Sequence, residues 1–153
     1  MSGIIDTNKV AQVALVVRDI VATKNKLAEL LGLPVPPHFS GGDYEITKTE
    51  VKGKPAPEAN CLLAFFDVGE GLQLELIQPN GVSSVWQDFL DEKGEGLHHI
   101  AFNVKGMDSV IIKLEDFGMN LVQKGNYGDG GGCYSYLEGG NNLPFIIELL
   151  ESF

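Results

Sequence analysis

The sequence predicts an α+β fold of two tandem βαβββ modules, whose strands form a curved mixed β-sheet. Three observations predict it. First, VAQVALVVRDIVATKNKLAEL (Val10–Leu30) and LHHIAFNVKGMDSVIIKLEDF (Leu97–Phe117) align at a spacing of 87, with Gln12 on His99, Ala14 on Ala101 and Val17 on Val104. Second, LQLELIQ (Leu72–Gln78) and FIIELLE (Phe145–Glu151) align at a spacing of 73, with Glu75 on Glu148. Third, each long segment opens as a β-rich run and then changes to helical spacing.

Taken in order, the chain begins with a strand from about Val10. It continues as a helix in which Ile20, Thr23, Leu27 and Leu30 share a face, with Asp19 at its start and Gly32 at its stop. Strands are expected near Tyr44–Glu50, Cys61–Val68 and Leu72–Gln78, with VKGKPAPEAN (Val51–Asn60) as an exposed loop. Val82–Asp91 reads as an amphipathic linker helix. The second half repeats the order: a strand from Leu97, then a helix on Met107, Val110, Ile111 and Leu114. Asp108 stands at that helix's start and Gly118 at its stop. Strands near Asn120–Lys124, Cys133–Leu137 and Phe145–Glu151 follow. This gives a single domain over 1–153, with module 1 at about 9–79, a linker helix at about 82–92 and module 2 at about 97–151.

Composition bounds the function. The 153 residues are 44% hydrophobic and 21% charged, enough for one core without staples. The formal charge of -10 argues against a nucleic-acid or anionic-membrane partner, since both need clustered basic residues. No apolar run reaches the ~18–20 residues of a membrane span, and the N-terminus lacks the layout of a signal peptide. Cys61 and Cys133 read as buried reduced thiols of a cytoplasmic protein.

Four polar residues break the strand pattern. Gln12 sits among Val10, Ala14 and Val16. His99 shares a face with Leu97, Ala101 and Asn103. Glu148 lies in the middle of a strand apolar on both faces, where a carboxylate is costly unless neutral, paired or metal-bound. Glu75 lies with Gln73 and Ile77. Taken singly, these read as an interior amide, a core histidine, a buried acid and a solvated carboxylate. The repeat couples them, because Gln12 matches His99 and Glu75 matches Glu148. About a pseudo-twofold axis, first and last strands converge on one concave surface. One imidazole nitrogen and three oxygens there suit a divalent first-row metal with coordination positions left open. Strand alternation places His98 on the opposite face, as a structural residue.

The duplicated pattern, VAQVALVVRDI, LELIQP, GEGLHHIAFNV and IIELLE resemble the vicinal oxygen chelate superfamily, which includes glyoxalase I, methylmalonyl-CoA epimerase, extradiol dioxygenases and bleomycin-resistance proteins. The resemblance covers about Lys9 to Glu151. It implies a metal-binding cleft with Gln12, Glu75, His99 and Glu148 as ligands to one Zn, Ni, Co or Mn ion. Extradiol dioxygenases use two histidines and a carboxylate, so Gln12 argues against that branch. The ligand set is similar to that of some glyoxalase I (lactoylglutathione lyase) enzymes, while the Gly94–Met119 region looks more epimerase-like. Both branches move a proton next to a carbonyl or thioester. Glu148 is the first candidate base and Glu75 the second. Glu58 resembles in position an epimerase acid/base glutamate. GDGGG (Gly128–Gly132) lacks the residues of a phosphate loop and reads as a lip or hairpin turn. Lys48, Lys52 and Lys54 are candidates for a CoA phosphate. The expected partner is a small carbonyl or thioester substrate, with a homodimer implied. The alternative is a ligand-sequestering protein of the bleomycin-resistance type, which the acidic surface suits.

Overall fold

A computed structural model describes residues 3–153. Its strands are β1 (Val10–Val16), β2 (Phe39–Ser40), β3 (Glu50–Val51), β4 (Lys54–Pro55), β5 (Cys61–Gly69), β6 (Leu72–Pro79), β7 (Gly96–Asn103), β8 (Asn120–Asn126), β9 (Gly132–Glu138) and β10 (Ile146–Ser152). Its helices are α1 (Ile20–Leu31), α2 (Tyr44–Thr47), α3 (Val85–Lys93) and α4 (Met107–Phe117). The strands form one mixed, unclosed sheet in the order β2-β5-β6-β1-β7-β10-β9-β8-β3-β4.

At the centre β1 and β7 run antiparallel, and each carries a parallel neighbour, β6 or β10. Antiparallel strands continue outward as β5 and β2 on one side and as β9 and β8 on the other. The repeat is therefore visible as register. Ala14 opposes Glu75 across β1 and β6, and Ala101 opposes Glu148 across β7 and β10.

Alternation separates two faces. Outward-facing Leu76, Ala64 and Phe66 pack under α1 through Ile20 and Ala28. Outward-facing Ile147 and Leu149 pack under α4 through Val110, Ile111 and Leu114. Leu76 and Leu149 are fully buried, each contributing roughly 1.5–3 kcal/mol relative to an exposed side chain. The inner face holds a third cluster, in which Ala14, Val16, Ile77 and Tyr136 meet Val85, Trp86 and Leu90 of α3.

The helix ends follow the expected chemistry with one exception. Asp19 accepts from the Ala22 amide at 3.0 Å, and Gly32 and Gly118 close their helices in the left-handed region. At α4, however, Glu151 rather than Asp108 takes the first free amides, accepting from Gly106 N and Met107 N at 2.8 Å each. Those two bonds hold the Glu151 carboxyl below its ordinary range.

The segment expected as a strand at Tyr44–Glu50 is instead α2 followed by β3; the short strand β2 takes the place beside β5. Tyr, Ile and Thr favour strands only where a neighbour completes the ladder, and here tertiary contact decides. The Pro-rich segment after it is not wholly a loop. β3 and β4 form a hairpin that pairs with β8, Glu50 opposing Lys124 and Val51 opposing Gln123. Material from the first half thus borders the far edge of the second. Cys61 is buried and Cys133 half-buried, and both thiols are free. Among the described residues no helix is long and apolar enough to cross a membrane.

Candidate metal and substrate site

Two rungs of the sheet build the site. On one, Glu75, Ala14 and His99 stand side by side across β6, β1 and β7. On the next, Gln12, Ala101 and Glu148 stand across β1, β7 and β10. Ala14 and Ala101 are both fully buried, and their single methyl groups leave the space between the longer side chains open. One ligand atom each from Glu75, His99 and Glu148 lies within 4.8 Å of the others, and all three residues are buried. Gln12, half-buried, lines the same cavity as Glu75 and Glu148.

The polar atoms of this cluster are oriented by neighbours. The β1–β7 register slips between Ala14, opposite His99, and Leu15, opposite Leu97, so His98 is an extra residue in β7. That bulge brings His98 to the same side as His99, against the expected alternation. His98 Nε2 lies 3.0 Å from the Val85 carbonyl, and the two Nδ1 atoms lie 2.8 Å apart. A carbonyl only accepts, so His98 carries its proton on Nε2 and accepts at Nδ1 from His99 Nδ1–H. The lone pair of His99 Nε2 is left facing Glu148 Oε2 at 2.9 Å. Burial, then the neighbouring His99, lowers the His98 pKa to about 3, so the ring stays neutral.

A second relay acts on Gln12, whose Nε2 donates to Gln73 Oε1 at 3.1 Å while Gln73 donates to Asp67 at 3.4 Å. Gln12 Oε1, His99 Nε2 and Glu148 Oε2 are buried and lack a hydrogen-bond partner. Three unpartnered acceptors in one site with the Glu75 carboxyl need a cation or a proton among them. One nitrogen and three oxygens fit a divalent first-row ion. Burial, and then the charge of Glu148, hold the Glu75 carboxyl well above its ordinary range.

The site opens into a cavity of about 600 Å³ between the two halves of the sheet. Sequence reasoning missed most of its wall. Tyr134 and Tyr136 alternate onto the inner face of β9, a signal present in CYSYL but not exploited. The Tyr136 hydroxyl accepts from Trp86 Nε1 at 3.0 Å, and its ring stands 5.0 Å from that of His99. Burial, then Glu148 and Glu75, keep the Tyr136 phenol protonated well above its usual pKa, and burial does the same for the Cys61 thiol. Gln123, fully buried, accepts from Val85 N at 2.9 Å and so anchors the start of α3, whose carbonyl orients His98.

The glycine run supplies a lip. Gly128 and Asp129 line the cavity beside Gly41 and Gly42. Glu58 lies elsewhere: its side chain is exposed, its carbonyl accepts from Asn80, and it is not part of the cavity wall. Lys48, Lys52 and Lys54 are also absent from that wall. Pro55 and Ala56 carry the chain along the hairpin edge, and the loop reaches the cavity only at its end, through Ala59 and Asn60.

A profile of the glyoxalase/bleomycin resistance protein/dioxygenase superfamily matches residues 11–136. The uncharacterized protein YqjC of Bacillus subtilis (strain 168) is 32% identical over 95 residues, 61% of this chain and 67% of that protein. Among solved structures, the hypothetical protein BH1468 of Bacillus halodurans C-125 superposes with TM-score 0.67 at 19% identity, over 95% of this chain and 94% of that one. A Streptomyces coelicolor methylmalonyl-CoA epimerase in complex with 2-nitronate-propionyl-CoA superposes with TM-score 0.63 at 20% identity, over 94% and 96% of the two chains. At such identities the likeness is one of fold. From the extent of the profile match, the chain belongs to the glyoxalase/bleomycin resistance protein/dioxygenase, or vicinal oxygen chelate, superfamily.

Proposed function

We propose that the chain is a divalent-metal-dependent enzyme that moves a proton on carbon next to a carbonyl or thioester, as an epimerase or a lactoylglutathione-lyase-type lyase does. Gln12, Glu75, His99 and Glu148 would hold one Zn, Ni, Co or Mn ion. The observation that carries this reading is the convergence of Glu75, His99 and Glu148 within 4.8 Å, with His99 Nε2 and Glu148 Oε2 buried and unpartnered and the unpartnered Gln12 Oε1 in the same cavity. When bound, the ion polarises the substrate carbonyl and stabilises negative charge as it develops on the oxygen.

The chain's own groups supply the proton traffic. Glu148 is the first choice of base, and Glu75 returns the proton. In the metal-free protein, burial and the charge of Glu148 push Glu75 toward its neutral form, as a proton donor requires. Glu148, to serve as base, would need an oxygen free to take the proton when substrate enters. Tyr136 and Trp86, joined by their hydrogen bond, form the inner wall and exclude water. The acyl-CoA analogue bound by the Streptomyces epimerase supports the thioester branch, and the Gln12 ligand the glyoxalase-like one. Each chain would act as one domain, with halves at about 9–79 and 97–151, within a cytoplasmic homodimer.

The alternative, a sequestering protein of the bleomycin-resistance type, is favoured by one observation: the cavity wall carries acids and, among the described residues, no lysine or arginine. Metal analysis on untagged protein, reconstituted with Zn, Ni, Co and Mn in turn, separates the two. The enzyme reading expects about one ion per chain, and less than about 0.1 ion would sink it. Solvent deuterium should then enter the α-carbon of an accepted carbonyl substrate, and Glu148→Gln should lower that exchange by about 100-fold or more.

A further inference from the structure

The cavity wall has a sign. Among the described residues lining it there is no lysine or arginine, while Glu75, Glu148 and Asp129 are all present. The sequence has a single arginine, Arg18, which follows β1 outside the cavity. Two lysines outside it have acidic partners. Lys48 pairs with Glu45 at 3.0 Å and Lys124 with Glu50 at 3.6 Å. Both line a separate groove that also holds Glu50 and Asp108. A carboxylate or phosphate entering the main cavity would lose water without gaining a counter-charge, and would face Asp129 on the way. An ion with charge +2 would be offset by Glu75 and Glu148 when both are ionised, so it would leave no net positive charge for a second anion.

Aromatic rings flank the ligand set on both sides, Phe65 beside Glu75 and Tyr136 beside Glu148. Phe39 and Phe65 stack at 5.8 Å, and Tyr134 meets Tyr136 edge to face at 5.5 Å. Phe39 is 49% exposed, so part of its ring has no protein neighbour. Faces and edges of this kind accept a flat ring.

We infer that this cavity takes an uncharged small molecule with an aromatic portion against Phe39, Phe65 and Tyr134, and with carbonyl oxygens directed at Glu75, His99 and Glu148. Within the proposed reaction this selects the carbonyl branch over the thioester branch, because thioesters of coenzyme A and of glutathione carry phosphates or carboxylates. The placement of the carbonyl end rests on the proposed metal site; the preference for an uncharged ring does not.

A matched pair of probes tests it. 1-Phenylbutane-2,3-dione and phenylpyruvate differ in one group, an acetyl in place of a carboxylate. Binding to the full chain is measured by calorimetry, metal-free and metal-loaded. Trp86, the sole tryptophan, lies in the cavity wall and provides a second readout by its emission. The diketone should bind at least about tenfold more tightly than phenylpyruvate in both forms, and more tightly than methylmalonyl-CoA or S-lactoylglutathione. Phe65→Ala should weaken the diketone by about threefold or more, and Asp129→Lys should narrow the gap between the paired probes. Tighter binding of any of the anions, or no saturable binding of the diketone up to about 10 mM, overturns the inference. If no metal binds but the diketone still prevails, the proposed reaction falls and the ligand preference stands. Metal binding with an anionic preference has the opposite meaning.

Discussion

His98 and His99 are adjacent in the chain and their rings have separate tasks. The Val85 carbonyl fixes the proton of His98, His98 fixes the proton of His99, and His99 is left with one lone pair turned into the site. Removing such an orienting partner costs typically 10–100-fold in metal affinity. His98→Phe should therefore weaken Co(II) binding by about 10–100-fold in a chelator competition and alter the visible spectrum of the bound ion. His98→Gln, which keeps a donor and an acceptor, should recover part of the loss; equal affinities of the two variants would exclude the relay.

Glu75 predicts a dependence on pH. The carboxyl titrates near 4.5 when unfolded and well above that when folded, so across this window the folded chain holds more protons. Its contribution to stability therefore falls as pH rises from about 4.5. Glu75→Gln should stabilise metal-free protein at pH 7 by about 1–3 kcal/mol in urea unfolding, and by less at pH 4.5. A variant less stable than the parent at pH 7 would contradict this.

At the scale of elements, one inserted residue matters most. Without the bulge in β7, alternation would keep His98 off the concave face and His99 would lack the acceptor for its Nδ1 proton. The sequence LHHIAFNV displays both histidines but not the slip, because a bulge depends on the register of the partner strand. The same limit explains Tyr44–Glu50. Its residue types favour a strand, yet the chain turns into α2 after Gly41 and Gly42 meet the Gly128 turn. A Cβ on Gly42 would stand 2.5 Å from Gly128 Cα, and Gly42 has φ +115°. Gly42→Ala should cost about 1–3 kcal/mol in thermal or urea unfolding and loosen the cavity mouth, read as a shift in Trp86 emission. An unchanged stability would show that the two loops do not need that close approach.

For the whole molecule, the duplication places the candidate ligands as well as the strands. Pairing of Ala14 with Glu75 on one side and Ala101 with Glu148 on the other puts each alanine between two of the four side chains. Filling either gap should act alike. Ala14→Val and Ala101→Val are each expected to lower metal content to a small fraction of parent, with a stability loss of about 1–3 kcal/mol. A variant that keeps full metal occupancy would remove its alanine from that role. The convex face, packed under α1 and α4, should tolerate conservative changes without altering metal content.

The sequence by itself determined the repeat, the inward faces of the first and last strands, and the four polar positions that break the apolar pattern. Those features are local and periodic, so they survive in one dimension. Tertiary structure alone decided which face His98 occupies, that the Glu75 carboxyl is held toward its neutral form, that Glu58 is not in the cavity wall, and that aromatic rings flank the acids there without a lysine or arginine. Each depends on register or on burial between strands distant in sequence, and neither quantity exists until the sheet has curved.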